Sequence, residues 1–280
     1  MAEGTENRIP NVLSIAGVDP SGGAGVFADI KAFSANGAFG TGVVTALTAQ
    51  STQGVTGVLP IDPAFVRQQL DTLFDDVRID AVKIGMLDNA KLIKTVADVL
   101  KERKPAFVVL DPVMVAKSGD RLLQEEAVSA LIEYLLPLAT VLTPNLPEAL
   151  ALLGREEQID EEDFPSVAAE LWRMMKNRDA WVFLKGGHLE GEYAYDLLVN
   201  GVLRVPYSAE RIQTKNTHGT GCTLSSAIAA QLPQTPDVPE ACRRAKEYLT
   251  GAIAAADKLE VGSGHGPTHH FWKMWQNQQM

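Results

Sequence analysis

Short apolar runs recur along the chain at Val12–Gly17, Ala81–Gly85, Phe107–Asp111 and Trp181–Lys185. Each ends after about five residues, far short of the roughly 20 needed to cross a bilayer, and each suits a buried strand. Between them the period lengthens to that of a helix. Asp62-Pro63 supplies an N-cap and a first-turn proline, after which Phe65, Val66, Leu70, Leu73, Phe74 and Val77 share a face. Asn89–Lys104 repeats the pattern with a stripe of Leu92, Val96, Val99 and Leu100, and Lys101, Arg103 and Lys104 answer the helix dipole. Strands alternating with helices of this length need crossover connections, which predicts a mostly parallel central sheet covered by helices on both faces.

The alternation is expected to break once, where Ala194–Val199 and Val202–Pro206 flank Asn200-Gly201, a hairpin signal. The acidic stretch Glu156–Asp163 reads as a solvated loop before a helix at Val167–Lys176. Phe271, Trp272, Met274 and Trp275 are expected to pack against the body or a second subunit. No repeat or low-complexity linker divides the chain, so residues 1–280 read as one domain, with 1–10 a flexible N-terminus.

Composition narrows the classes. With 46% apolar and 21% charged residues the chain is globular rather than disordered. Lys+Arg 25 against Asp+Glu 35 gives a net charge of −10, which disfavours nucleic acid or an anionic membrane as partner but allows a local site for a small anion. Two cysteines, Cys222 and Cys242, are too few for a disulfide framework, and the N-terminus lacks the cationic start and apolar run of a signal peptide. A cytoplasmic protein is expected.

Two glycine-rich turns carry the first candidate chemistry. Gly17–Gly25 follows a strand and opens a helix containing Phe27, Ile30 and Phe33. Gly23–Ala28 fits a dinucleotide fingerprint in spelling, yet five residues separate Gly17 from Gly23 and no ribose-binding acid follows the next strand, Val43–Ala49. No Gly-Lys-Ser/Thr closes it as a Walker loop. The second turn, Asn216–Thr223, runs without a break into Leu224–Ala230. Small residues at a helix start leave the first N–H groups open to a phosphate or oxyanion, and a thiol there, Cys222, is expected to have its thiolate favoured.

Other polar groups close the apolar strands. Lys185-Gly186-Gly187-His188 places a cation and two flexible positions at the sheet's carboxyl edge, where open α/β folds bind ligands. Thr143–Glu148 pairs Asn145 with Glu148 three residues on at a helix start, either as a dipole-answering carboxylate or as a site for Mg²⁺ held through water. Asp111-Pro112-Val113-Met114 ends a strand at the same edge. His218, His265, His269 and His270 are not spaced for zinc and read as solvated or packed.

Together these segments, with Thr45–Gln50 and Lys83–Leu87, resemble the ribokinase-like superfamily and within it the hydroxymethylpyrimidine/phosphomethylpyrimidine kinases of thiamine biosynthesis. The resemblance covers nearly the whole chain. It implies an α/β three-layer sandwich with a small hairpin elaboration, a homodimer, and use of ATP and Mg²⁺. It also implies transfer of the γ-phosphoryl group to 4-amino-5-hydroxymethyl-2-methylpyrimidine and then to its monophosphate. By the same resemblance Gln50, Gly17, Asp19, Met86 and Val113 line the pyrimidine pocket. Gly219, Thr220, Gly221 and Cys222 form the anion hole, and Lys185 neutralises phosphate. Lys185, Gly186, Asn145, Thr217 and Gly219 hold the nucleotide, and Asn145 with Glu148 orders Mg²⁺ through water. Cys222 stands where sugar kinases of the superfamily carry an aspartate base; it acts as base or only through its helix-start position. The alternatives are a pyridoxal kinase of the same fold, a silent vitamin-binding module and, more distantly, a nicotinamide-dependent oxidoreductase.

Overall fold

The computed structural model describes residues 8–114, 123–157, 159–187, 189 and 191–275. Lys117–Asp120, whose closure over the site the sequence leaves open, and His188 lie outside the described residues. The chain runs β1 (Asn11–Val18), α1 (Gly25–Ala35), β2 (Phe39–Ser51), β3 (Gly54–Pro60), α2 (Pro63–Asp76), β4 (Ala81–Ile84), α3 (Ala90–Arg103) and β5 (Phe107–Leu110). It continues through α4 (Glu125–Ala130), β6 (Val141–Leu142), α5 (Leu146–Leu153), α6 (Phe164–Met174), β7 (Trp181–Lys185), β8 (Tyr193–Asn200), β9 (Leu203–Glu210), α7 (Thr220–Gln231) and α8 (Val238–Ala254).

Among the described residues the strands form one nine-stranded sheet in the order β3-β2-β1-β4-β5-β6-β7-β8-β9. From β2 across to β7 every pairing is parallel. Successive side chains alternate between two cores, as strand geometry requires. Leu13, Ile15, Val82, Ile84, Val108, Leu110, Val182 and Leu184 pack under α2–α6. Val12, Ala81, Val109, Val141 and Phe183 pack under α1, α7 and α8. The result is the expected three-layer sandwich.

The sequence expectations hold at the helix starts. Asp62 caps α2 by accepting the Ala64 N–H at 2.7 Å, and Asn89 caps α3 by accepting the Leu92 N–H at 2.9 Å. Phe65 departs from its expected place on the shared face. With Val66 and Leu70 pointing inward, a residue about 100° round the helix must turn out, and Phe65 is exposed; Phe27 is likewise exposed beside buried Val26 and Ala28.

The alternation breaks twice, not once. Besides the expected hairpin β8–β9, an antiparallel hairpin joins β2 to β3 through Thr52-Gln53. The β8–β9 turn also falls one residue later than expected. Asn200 pairs with Leu203, leaving Gly201 at φ 55° and Val202, 94% exposed, as the two loop residues. A two-residue loop favours glycine in its first position when only that position takes a positive φ. At the other end of the chain Trp272 packs into the α7–α8 core as expected, whereas Met274 and Trp275 are exposed. No helix among the described residues is long and apolar enough to cross a membrane.

Candidate active site

The carboxyl ends of the parallel strands open into a cavity of about 670 Å³. From the β1–β5 side Gly17, Asp19, Gln50, Met86 and Val113 line it; from the β6–β7 side come Asn145, Glu148, Lys185 and Gly187; and Thr217–Cys222 enters ahead of α7. Thus all of the predicted site residues except Gly186 face one space. Gly186 stands behind it, its N–H donating to Asp196 Oδ1 at 2.9 Å.

The first glycine turn is organised by its own carboxylate. Asp19 Oδ1 accepts the Ser21 N–H at 2.8 Å and the Ser21 hydroxyl at 2.7 Å, while Oδ2 accepts the Ala24 N–H at 3.0 Å. His218 Nε2 lies 2.7 Å from the same oxygen. Burial works to raise the Asp19 carboxyl, but His218 and Ser21 hold it below its ordinary range. With Asp19 ionised, His218 donates from Nε2, and the Gln50 amide nitrogen stands 3.4 Å from the same ring atom. The turn therefore spends its N–H groups on Asp19 rather than presenting them to a dinucleotide. It also places His218, which the sequence left as solvated or packed, beside Gln50.

The second turn is open. Gly219 is the N-cap of α7 at φ 75°, and no side chain caps the helix, so its first turn, whose residues line the cavity, is left uncapped there, with the Thr220 N–H reaching the Thr217 carbonyl at 3.5 Å. A side chain at Gly219 is doubly excluded, by the left-handed backbone and because a Cβ would run into the Gly23 carbonyl oxygen. The two glycine turns thus sit back to back.

Cys222 differs from expectation. Burial pushes its thiol up, Asp29 and Asp111 push it further, and Lys83 with the Gly25 N–H pulls the other way without prevailing. Dipole and cations do not outweigh removal from water, so the resting group is a thiol.

Lys185 is no exposed strand-end lysine. Its Nζ lies 3.1 Å from Asp111 Oδ1 and 4.0 Å from Glu148 Oε2, and although burial opposes its charge the two acids hold it above its ordinary value. Asp111 also accepts from Thr143 Oγ1 at 3.1 Å and from Ser225 Oγ at 3.3 Å. Asn145 and Glu148 form a reciprocal capping box at the start of α5, with bonds of 2.9 and 2.8 Å. Burial, reinforced by Asp111, pushes the Glu148 carboxyl up to about 7. Two buried acids thus share one ammonium, and that surplus of negative charge fits a cation. Among the described residues no three acidic, cysteine or histidine groups are set to hold a metal directly, so the fit is to an ion held through water.

Sequence reasoning missed Lys83 and Asp29. Both are 0% exposed, and Lys83 Nζ donates to Asp29 Oδ1 and Oδ2 at 2.9 and 3.0 Å. Ser14 and Ser226 hydroxyls complete the carboxylate at 2.6 and 2.7 Å. A lysine inside an otherwise apolar four-residue strand was the available signal, since such a charge needs a buried partner. Also missed were Ala209, Ile212, Leu249 and Ile253, an apolar part of the lining from β9, the residues just after it and α8.

A helix start open to anions, a lysine beside acids and a cavity at the carboxyl edge of a ribokinase-like sheet define a small-molecule phosphotransferase. The family model described as phosphomethylpyrimidine kinase matches residues 19–269, and the chain belongs to that family. It is 50% identical to the hydroxymethylpyrimidine/phosphomethylpyrimidine kinase of Rhizobium meliloti (strain 1021), over 95% of this chain and 98% of that one. It is 49% identical to the Escherichia coli (strain K12) enzyme of the same name, with the same shares covered. Among solved structures it superposes on phosphomethylpyrimidine kinase from Clostridium difficile 630 with TM-score 0.76 and 40% identity, covering 87% of this chain and 99% of that one. It also superposes on an ADP complex of Bacillus subtilis pyridoxal kinase with TM-score 0.84 and 36% identity, covering 94% and 98%.

Proposed function

We propose that this enzyme uses ATP to phosphorylate 4-amino-5-hydroxymethyl-2-methylpyrimidine and then the monophosphate, forming the diphosphate used for thiamine. The observation that carries the reading is the placing of Gln50 and the open start of α7 in one cavity with Lys185. An amide that both donates and accepts suits an aminopyrimidine edge, while an uncapped helix start and an ammonium suit a moving phosphoryl group.

In the first step the hydroxymethyl oxygen forms a bond to the γ-phosphorus, and the bond from that phosphorus to the bridging oxygen of ADP breaks. The N–H groups at Gly219–Cys222 stabilise charge on the phosphoryl oxygens, and Lys185 neutralises the polyphosphate. We assign the hydroxyl proton to Cys222. Because the buried thiol starts protonated, its own proton must first pass to solvent, and the thiolate then accepts the hydroxyl proton. Asn145 and Glu148 are the residues that would hold Mg²⁺ through water, and the ion would supply further neutralisation of phosphate charge. Ala209, Ile212, Leu249 and Ile253 offer an apolar slot for the adenine.

Two further readings belong with this one. Free Cys222 and Cys242 suit a reducing cytoplasm. Leu47 and Leu59 face each other across β2–β3 and are both exposed, as is Phe39, which suits a second copy of the chain as cover in a homodimer. A pyridoxal kinase is the competing activity, favoured by the likeness to the Bacillus subtilis structure. The test is mass spectrometry of products after incubation with Mg²⁺, ATP and equal amounts of the pyrimidine alcohol and pyridoxal. Pyrimidine mono- and diphosphate are expected; pyridoxal phosphate alone, or no product, overturns the assignment.

A further inference from the structure

The segment that follows α8 touches both halves of the site. Gly264 N–H donates to Thr52 Oγ1 at 3.1 Å, His265 N–H to the Thr52 carbonyl at 2.9 Å, and Gln53 Nε2 to Ser263 Oγ at 2.7 Å. A Cβ at Gly264 would collide with the Thr52 carbonyl oxygen, so the approach depends on glycine. Thr52 is two residues beyond Gln50, at the turn of the β2–β3 hairpin. Next, Gly266 N–H donates to Asn216 Oδ1 at 3.1 Å, His218 N–H donates to the Gly266 carbonyl at 3.0 Å, and His218 pairs with Pro267 as an isolated parallel bridge.

The segment is then anchored behind the catalytic turn. Thr268 Oγ1 lies 3.1 Å from Thr223 Oγ1, and Thr223 Oγ1 lies 3.1 Å from His270 Nε2. Thr223 is adjacent to Cys222, and both threonines are fully buried. Tyr248 donates its hydroxyl proton to the His270 carbonyl at 2.8 Å, and Trp272 Nε1 donates to the Tyr248 carbonyl at 3.2 Å, which fastens the segment to α8. Neither Thr268 nor His270 lines the cavity.

We propose that Gly262–His270 is a positioning strap that holds the Gln50 hairpin and the start of α7 in register, with the Thr223–Thr268–His270 hydroxyl–imidazole cluster as its anchor. Resting on the assignment of Gln50 to the acceptor and Gly219–Cys222 to the phosphoryl group, the strap sets the distance between the two substrates. Reaction between two bound partners depends steeply on that distance.

The test compares Thr268→Val, which removes one hydroxyl at nearly constant volume, with Thr268→Ser, which restores it. Thr268→Val should lower kcat about tenfold while the KM for ATP stays within about twofold. Thr268→Ser should recover most of the loss. Amide hydrogen exchange at His218–Thr223 should quicken about tenfold in Thr268→Val, a readout that does not depend on which substrate is turned over. Thr52→Val, at the other end of the strap, should raise the KM for the pyrimidine about fivefold with kcat little changed, and keeps the proposal testable if Thr268→Val does not fold. Unchanged exchange and kcat in Thr268→Val, or unchanged KM in Thr52→Val, overturn the strap. Wild-type enzyme inert toward the pyrimidine overturns the functional assignment instead.

Discussion

Lys83 and Lys185 are both buried ammonium groups, one on β4 and one at the end of β7, and they keep opposite company. Lys83 meets a single carboxylate, Asp29, whose two oxygens also receive hydroxyl protons from Ser14 and Ser226. Every group there has a partner inside the protein. Lys185 meets two carboxylates at 3.1 and 4.0 Å, and burial, reinforced by the Asp111 charge, pushes Glu148 up to about 7. A closed pair is the signature of architecture, and an unbalanced one of a place kept for a ligand. The difference lies in the stoichiometry of charge, with Lys185 also slightly more open, its side chain 13% exposed against 0% for Lys83.

That contrast can be broken at four points. The largest effect is expected on stability: Lys83→Met leaves Asp29 buried without its counter-charge and should cost about 3–5 kcal/mol in denaturant unfolding. The double variant Lys83→Met/Asp29→Asn should recover part of this, and a single variant as stable as wild type would refute the closed-pair reading. Lys185→Met should also destabilise, because Asp111 is left buried without its nearest counter-charge, but by less, about 1–3 kcal/mol, because Glu148 can take up a proton, and it should lower kcat by about 10²–10³ in steady-state assays. Cys222 faces both clusters. Cys222→Ala should lower kcat about 100-fold with little change in KM, and the rise of wild-type kcat with pH, expected as the thiol ionises, should vanish with it. An unchanged pH profile would remove the sulfur from proton transfer.

The smallest effect concerns Glu148 in the empty enzyme. Its folded pKa, about 7, lies above that of an unfolded glutamate, so the folded chain binds the proton more tightly. The stability this contributes is complete below about 4.5 and is lost as pH rises towards 7, on the order of 1 kcal/mol per pH unit. Glu148→Gln should flatten that slope in a series of thermal melts, and addition of Mg²⁺ with ATP should flatten it in the wild type. His270, held down to about 3 by burial, contributes with the opposite sign in the acid range and is untouched by the substitution.

The parallel strands and the capped helices were legible because their causes are local: apolar runs of strand length, Asp62 before Pro63, Asn89 before a stripe. The open start of α7 was legible for the same reason, since small residues ahead of an apolar helix are read over a few positions. What escaped was long-range or two-sided. Asp29 lies 54 positions from Lys83 and His218 lies 199 from Asp19, so neither partnership leaves a spacing to read. The β2–β3 hairpin has no Asn-Gly at its turn, and its exposed Val58 and Leu59 blur the alternation that marks a half-buried strand. The Cys222 thiol was misjudged because dipole and cations can be read from neighbours in sequence, whereas depth in the cavity cannot.

The strap has a consequence in the order of synthesis. All nine strands are complete at Glu210, and Gln50, Lys185 and Cys222 precede Gly262. A growing chain collapses into native-like structure from its amino-terminal side. In synthesis every reacting side chain is therefore made before the proposed strap, so the part that would set the distance between the substrates is the last part of the site to be added.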